Sequence, residues 1–188
     1  MNIYKFYNSL GWKKNIKTNV YEDAKLFEDL RKNSKEYVSR CRKRILRYIP
    51  QKGKNILDFA SGPIQYPEYL LYSKNFDKRH CLDFSKDAIK IAKKKINRNK
   101  GKFYCGDFFK IKLKKNYFDC IISLHTIYHI NKNKQKLAIK QLIRTAKPWS
   151  PIIIVYSNPH TLINRMKKFF ISKKKKQKIY FYCHNIEW

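Results

Sequence analysis

The sequence predicts an α/β fold around a doubly wound, mostly parallel sheet. Short apolar runs alternate with segments of helical periodicity between residues 51 and 157. Apolar runs separated by helices are typical of parallel strands that are covered on both faces. The chain has 188 residues, of which 43% are hydrophobic and 15% aromatic, enough to bury one full core. We therefore expect a single domain over residues 1–188.

The predicted elements follow one another in a regular order. Residues 1–50 form an N-terminal helical cap, because residues 21–48 place apolar side chains at helical spacing, with acids first and bases last. In the core, residues 51–157, the predicted strands span 55–60, 80–84, 102–106, 118–124 and 152–157. The predicted helices of the core span 67–73, 86–96 and 134–146. Residues 158–188 hold a last helix (161–170) and a sixth strand (179–183).

Positive charge dominates the chain. The net charge is +31, and residues 88–188 carry 25 basic but only 3 acidic side chains. Such a basic protein attracts nucleic acid or another polyanion at low salt. However, lysine outnumbers arginine 35 to 9, whereas phosphate and base recognition tends to use arginine. A general lysine bias therefore also explains the charge, and nucleic acid stays an open alternative as a partner.

Several classes of protein are excluded. No run approaches the roughly 18 apolar residues of a membrane-spanning helix, and the N-terminus lacks the apolar stretch of a secretory signal. We therefore expect a cytoplasmic protein. The five cysteines are scattered and never form a CxxC pair, which favours reduced thiols over a disulfide framework or a zinc site.

Acidic side chains stand at the ends of the first three predicted strands, where ligands bind in open α/β sheets. Asp83, which follows Asp58 by 25 residues, can accept both hydroxyls of a ribose. Asp107 can accept from an exocyclic amine while the ring of Phe108 packs on a flat base. The small turn at residues 60–62 allows close approach of the backbone. Together they outline a nucleoside site, although each carboxylate could instead cap the turn or helix that follows it.

Four segments, ILDFASGP, CLDFS, YCGDFF and FDCIISLHTIYHI, resemble motifs of the class I S-adenosylmethionine-dependent methyltransferases. The resemblance covers roughly residues 50–157 and implies a Rossmann-like methyltransferase fold with S-adenosylmethionine as cofactor. It places Asp58, Ala60, Ser61 and Gly62 around the methionine end of the cofactor. It places Asp83 and Phe84 at the ribose, Asp107 and Phe108 at the adenine, and Leu124 and His125 near the reactive methyl group.

The chain departs from the family pattern in two respects. The family usually has Gly-x-Gly-x-Gly after the first strand, whereas this chain has Ala60, Gly62 and Ile64. Ile64 and the adjacent Pro63 imply a differently shaped turn. The family's sheet usually has seven strands, whereas six are predicted here, so we expect that the last strand is missing or that the sheet edge closes differently.

His125 is the candidate general base. Methyl transfer from a sulfonium needs mainly alignment and exclusion of water, and a base helps when the nucleophile is a hydroxyl or an amine. Tyr128 and His129 are candidate contacts to the acceptor, and Tyr21, Phe27 and residues 156–170 are expected to cover it. A structural role for either histidine is the alternative. A metal site is disfavoured because the zinc-protease pattern needs a glutamate where Thr126 stands.

The sequence thus predicts a class I methyltransferase that acts on an unidentified small-molecule acceptor. One alternative is an RNA methyltransferase, which the charge favours although no NPPY-like segment occurs. Another is a non-catalytic, basic nucleic-acid-binding module on a degenerate methyltransferase fold. A nicotinamide dehydrogenase is disfavoured because its G-x-G-x-x-G pattern needs three glycines. The sequence does not indicate the oligomeric state.

Overall fold

The computed structural model describes residues 3–27, 30 and 32–156. Its sheet has five parallel strands in the order β3-β2-β1-β4-β5. The strands are β1 (Gly53–Phe59), β2 (Phe76–Asp83), β3 (Gly101–Cys105), β4 (Cys120–Leu124) and β5 (Ile152–Val155). Each overlaps a predicted strand, so the predicted α/β class and parallel sheet are confirmed. The helix predicted at 161–170 and the strand predicted at 179–183 lie outside the described residues.

Helices flank the sheet on both faces. They are α1 (Ile3–Ser9), α2 (Glu22–Phe27), α3 (Lys35–Lys43), α4 (Pro67–Leu71), α5 (Lys86–Lys95) and α6 (Lys132–Thr145). Helix α1 lies within the helical cap predicted for residues 1–50, although no separate helix was predicted at its position. The helical pattern of residues 21–48 divides into α2, α3 and short 3-10 turns. Among the described residues, no helix is long and apolar enough to cross a membrane.

The core lies on both faces of the sheet because successive strand residues point to opposite sides. Leu57 of β1 and Ile121 of β4 pack on one face, against Leu142 of α6. Their neighbours Ile56 and Ile122 pack on the other face, in a second buried cluster. All five side chains are fully buried. The continuous apolar runs of these strands therefore reflect burial on two sides rather than one.

Asp119 holds the amino ends of two central strands together. Its Oδ2 atom accepts hydrogen bonds from the backbone N–H groups of Lys54 (3.0 Å) and Asn55 (2.8 Å), and its Oδ1 atom pairs with Lys147. Partial burial opposes ionisation, but the hydrogen bond from Lys147 and these N–H groups lower the pKa of Asp119 below 3.8. Asp119 therefore has a structural role, at the end of the sheet opposite the strand-end acids.

The strand order reverses beside β1. The chain passes from β1 to β2 and β3 on one side, and β4 and β5 lie on the other side of β1. Such a reversal opens a crevice outside the carboxyl ends of the strands. The turn after β1 and the ends of β2 and β4 are therefore the places where a ligand is expected.

Candidate functional site

A cavity of about 870 Å³ opens at the carboxyl ends of the strands. Strand-end residues form one side of it, and α1, α3 and the segment after β4 form the others. The residues predicted to bind the cofactor, to contact the acceptor directly or to act as the base line this cavity: Asp58, Ala60, Ser61, Gly62, Asp83, Phe84, Asp107, Phe108, Leu124, His125, Tyr128 and His129. The structure thus brings the predicted residues together, whereas the ligand of each stays a prediction.

The turn after β1 has a left-handed backbone at three alternate positions. The φ angles are 54° at Ala60, 55° at Gly62 and 50° at Ile64. These are the positions at which Gly-x-Gly-x-Gly has glycine, the residue that adopts this conformation without steric cost. Ala60 and Ile64 therefore adopt a conformation that favours glycine, and the expectation of a differently shaped turn stays a prediction. Ala60 and Ile64 carry strain, about 1–2 kcal/mol each.

Tertiary contacts hold this turn in place. The side chain of Ile64 is buried in a cluster with Cys81, Ile89, Ala92 and Ile96. Its carbonyl oxygen accepts a hydrogen bond of 2.6 Å from Nζ of Lys95. A Cβ atom at Gly62 would lie 3.2 Å from the ring of Trp12, a tight contact. Glycine thus remains where an aromatic ring approaches the turn, and packing offsets the strain at Ile64.

Asp83 joins the turn after β1 to the end of β2. Its Oδ2 atom accepts the backbone N–H of Gly62 at 2.9 Å, and its Oδ1 atom accepts that of Ser85 at 2.8 Å. Burial raises the pKa of Asp83 to about 6, although these N–H groups favour the carboxylate. The cap of α5 is the hydroxyl of Ser85, which accepts from the N–H of Ala88 at 3.3 Å. Asp83 therefore does not cap α5, but it caps the turn before that helix, as the alternative interpretation allowed.

Asp58 has a partner that the sequence analysis missed. Its Oδ2 atom accepts from Nε of Arg79 at 3.2 Å and also pairs with a terminal guanidinium nitrogen. Arg79 is 1% exposed and Asp58 2% exposed, so this is a buried ion pair between β1 and β2. Arg79 lies within β2, where it pairs in register with Ile56, two residues from Asp58 along β1, whereas the predicted strand began at His80. The sequence alone carried no signal for this pair, because it depends on the register between the two strands.

Asp107 binds its own turn. Its Oδ1 atom accepts the backbone N–H of Phe109 at 3.0 Å, which is the capping role that the alternative interpretation expected. Phe108 is buried against Phe59, with 4.5 Å between the ring centroids. The ring of Phe109 also lines the cavity, with Nζ of Lys134 5.7 Å from its centroid. A base-stacking surface on this side would therefore use Phe109 together with the predicted Phe108.

His125 follows β4 in a left-handed conformation, with φ 54°. Its backbone N–H donates to the carbonyl oxygen of Val155 at 3.0 Å, which fixes it beside β5. Its side chain is exposed on the cavity wall, yet the surrounding protein desolvates the ring. This desolvation, with the charge of Arg42, lowers the pKa of His125 below 6.5. The imidazole is therefore neutral at pH 7 and able to accept a proton.

His129 does not share a helical face with His125. It ends the 3-10 turn Ile127–His129, which the positive φ of His125 separates from β4. Its ring lies 4.6 Å from that of the buried Tyr128 and 6.5 Å from that of Tyr7. Within residues 3–156 as far as they are described, no group of histidine, cysteine or carboxylate side chains is placed to hold a metal ion.

The N-terminal segment supplies an aromatic wall, formed by Tyr4, Tyr7 and Trp12. Tyr4 stacks on Phe84 with 4.3 Å between centroids, and Tyr7 stacks on Trp12 at 4.9 Å. The Ser85 hydroxyl donates to the carbonyl oxygen of Tyr7 at 3.0 Å. These residues line the cavity, and the three-residue spacing of Tyr4 and Tyr7 was the signal for them. The sequence analysis had chosen other aromatic residues.

Among the aromatic residues that the sequence analysis expected to cover the acceptor, Tyr21 is buried beside Trp12 and does not line the cavity. Tyr21 therefore does not cover the acceptor. The side chain of Phe27 and residues 157–170 lie outside the described part of the structure, so their predicted role stays a prediction.

Residues 57–154 match the model of a family described as "Methyltransferase domain". The match spans more than half of the chain and includes the ends of β1, β2, β3 and β4. The chain belongs to this methyltransferase family. The predicted resemblance is thereby confirmed, and with it S-adenosylmethionine as the cofactor of the family.

Solved structures of methyltransferases share the fold. The chain is similar to an S-adenosylmethionine-dependent methyltransferase from Archaeoglobus fulgidus (20% identity, TM-score 0.60, covering 84% of this chain and 66% of that one). It is also similar to the PH0226 protein from Pyrococcus horikoshii (26% identity, TM-score 0.58, covering 79% of this chain and 67% of that one). A methyltransferase from Leishmania major has 16% identity and a TM-score of 0.55, covering 66% and 51%.

This chain therefore spans between about half and two thirds of the length of these three proteins. A search of curated proteins found no match.

Proposed function

We propose that this chain binds S-adenosylmethionine in the strand-end cavity and transfers its methyl group to a small-molecule acceptor. The observation that carries the proposal is the carboxylate of Asp83, buried at the end of β2 with one backbone N–H on each oxygen. A carboxylate oxygen has two acceptor sites, so each can accept one further hydrogen bond. The two adjacent hydroxyls of a ribose supply such a pair.

The other walls of the cavity fit the remaining parts of the cofactor. The turn at residues 60–64 brings backbone close to the cavity beside Asp83, where the methionine end is expected. Phe108 and Phe109 offer aromatic surface on the side expected for the adenine, and Phe84 lies on the side expected for the ribose. The volume of about 870 Å³ lies near the upper end of the range for small-molecule sites, about 300–1,000 Å³. This leaves room for an acceptor beside the cofactor.

When bound, S-adenosylmethionine supplies a methyl group on a positively charged sulfur, which is already an activated leaving group. The contribution of the protein is then alignment of the acceptor and exclusion of water. The aromatic wall of Tyr4, Tyr7 and Trp12 shields one side of the cavity. The neutral ring of His125 can accept the proton that an acceptor hydroxyl or amine loses.

The first test is calorimetric titration with S-adenosylhomocysteine at moderate salt. We expect saturable binding by the wild type and a large loss of affinity in Asp83→Ala. Asp77→Ala is the matched control, because Asp77 is an exposed carboxylate on the same strand. Thermal melts and the milder variant Asp83→Asn separate a lost hydrogen-bond acceptor from an unfolded protein. No binding by the folded wild type contradicts the proposal.

A further inference from the structure

The face of helix α3 that lines the cavity is apolar except for one charged residue. Its cavity-lining residues, with the 3-10 turn that follows, are Tyr37, Val38, Cys41, Arg42 and Ile45. The other charged residues of α3 do not line the cavity: Lys35, Glu36, Arg40 and Lys43. A guanidinium in an otherwise apolar wall can act as the counter-charge for an anionic group on a ligand.

Arg42 is held in this position by aromatic neighbours. Its guanidinium carbon lies 3.3 Å from the centroid of the Tyr66 ring, and its backbone carbonyl accepts the Tyr72 hydroxyl at 2.7 Å. A stacked guanidinium still directs its N–H donors outward in its own plane. Glu68 and Lys43 are the charged neighbours, and with Arg42 this group keeps a net positive charge. Glu68 does not line the cavity.

The carboxylates of the cavity lie elsewhere and are already engaged. Asp58 pairs with Arg79, and Asp83 binds backbone N–H groups. Asp107 accepts the backbone N–H of Phe109, and Asp23 accepts the hydroxyl of Tyr7 at 2.7 Å. None of them belongs to α3 or to the segment after β4. The part of the cavity between α3 and the end of β4 therefore presents Arg42 and the neutral His125 within an apolar and aromatic surface.

We propose that the methyl acceptor is an organic anion with a flat apolar body, whose charged group binds Arg42 while its nucleophile faces His125. The aromatic residues Tyr37 and Tyr69 of the same wall would pack on that body. The inference rests on the proposed methyltransferase function, because it assigns only the acceptor half of the cavity. It makes Arg42 a residue that determines acceptor specificity.

The test compares two probes of nearly the same shape, 4-hydroxybenzoate and the neutral 4-hydroxybenzamide. Each is titrated calorimetrically into the protein saturated with S-adenosylhomocysteine. We expect the wild type to bind the benzoate about tenfold or more tightly than the amide, since a hydrogen bond to a charged group discriminates by at least that factor. In Arg42→Gln the ratio should fall to about one.

Arg40→Gln is the matched control, because Arg40 lies on the same helix with its side chain 68% exposed and does not line the cavity. It should keep the wild-type ratio, which excludes a general attraction of anions to a chain of charge +31. An unchanged ratio in Arg42→Gln, or no saturable binding of the benzoate, overturns the inference. Failure of the wild type to bind S-adenosylhomocysteine removes the proposed function itself and is seen before either probe is added.

Discussion

Replacing Asp58 by asparagine should destabilise the protein strongly, because it leaves the guanidinium of Arg79 buried without its counter-charge. Arg79 is 1% exposed, so water cannot replace the carboxylate. Its other acceptors, the carbonyl oxygen of Tyr69 and the hydroxyl of Ser73, are neutral. Asparagine keeps the volume of the side chain at Asp58, so the change isolates the charge.

The expected loss is about 3–5 kcal/mol of unfolding free energy, the usual cost of removing one partner from a buried ion pair. This is a third or more of the roughly 5–15 kcal/mol of a typical domain. Replacing both partners, as in Asp58→Val with Arg79→Met, removes both buried charges and should cost much less than the sum of the single changes. The changes in unfolding free energy at the two sites should therefore be non-additive, with a smaller loss in the double variant than the two single losses together.

The single change Arg79→Met should make the free energy of unfolding depend more strongly on pH. Burial raises the pKa of Asp58 above 3.8, and the guanidinium opposes that shift, so its removal raises the pKa further. A carboxyl group whose pKa is higher in the folded state stabilises the fold below pH 3.8, and this contribution is lost as the pH rises. The loss is about 1.4 kcal/mol per pH unit until the folded-state pKa is reached.

Urea unfolding followed by circular dichroism, at pH 5 and pH 7.5, measures both effects. The control is Asp77→Asn, an exposed carboxylate on β2 that should change stability by less than about 0.5 kcal/mol. A loss below about 1 kcal/mol in Asp58→Asn, or a double variant as unstable as the sum of its single changes, refutes the argument.

Three further predictions concern the cavity. Ala60→Gly relieves the strain of a left-handed alanine, so its free energy of unfolding should lie within about 1 kcal/mol of the wild type or above it. Ala138→Gly, in the buried face of α6, should lower the free energy of unfolding by about 2 kcal/mol. Equal losses for the two variants in urea unfolding contradict this. Affinity for S-adenosylhomocysteine should fall about tenfold from pH 7.5 to pH 5, because Asp83, with a pKa of about 6, must be ionised to accept two hydroxyls. The control variant Asp83→Asn should show no such fall. An affinity of the wild type that does not change with pH rejects this role of Asp83. Once an acceptor is known, His125→Ala should lower kcat about 10²-fold or more while cofactor affinity stays unchanged, and equal loss of both excludes it as the base.

The order of strands and helices was predictable because it depends on the local pattern of apolar residues. Each described strand lies within a few residues of its predicted position, and the acids at the ends of β1, β2 and β3 followed from where the apolar runs stop. Parallel strands bring their carboxyl ends to one edge of a sheet. The sequence therefore placed Asp58, Asp83 and Asp107 at the same cavity without any knowledge of their contacts.

The contacts themselves depended on segments that are distant in the chain. Arg79 meets Asp58 only because β1 and β2 pair in register, and Trp12 reaches Gly62 only because the N-terminal segment folds back over the sheet. The left-handed φ of Ile64 opposes its local preference and persists because a buried cluster and Lys95 hold it. Local propensity is worth about 1 kcal/mol per residue, and the packing of remote elements exceeds it at such positions.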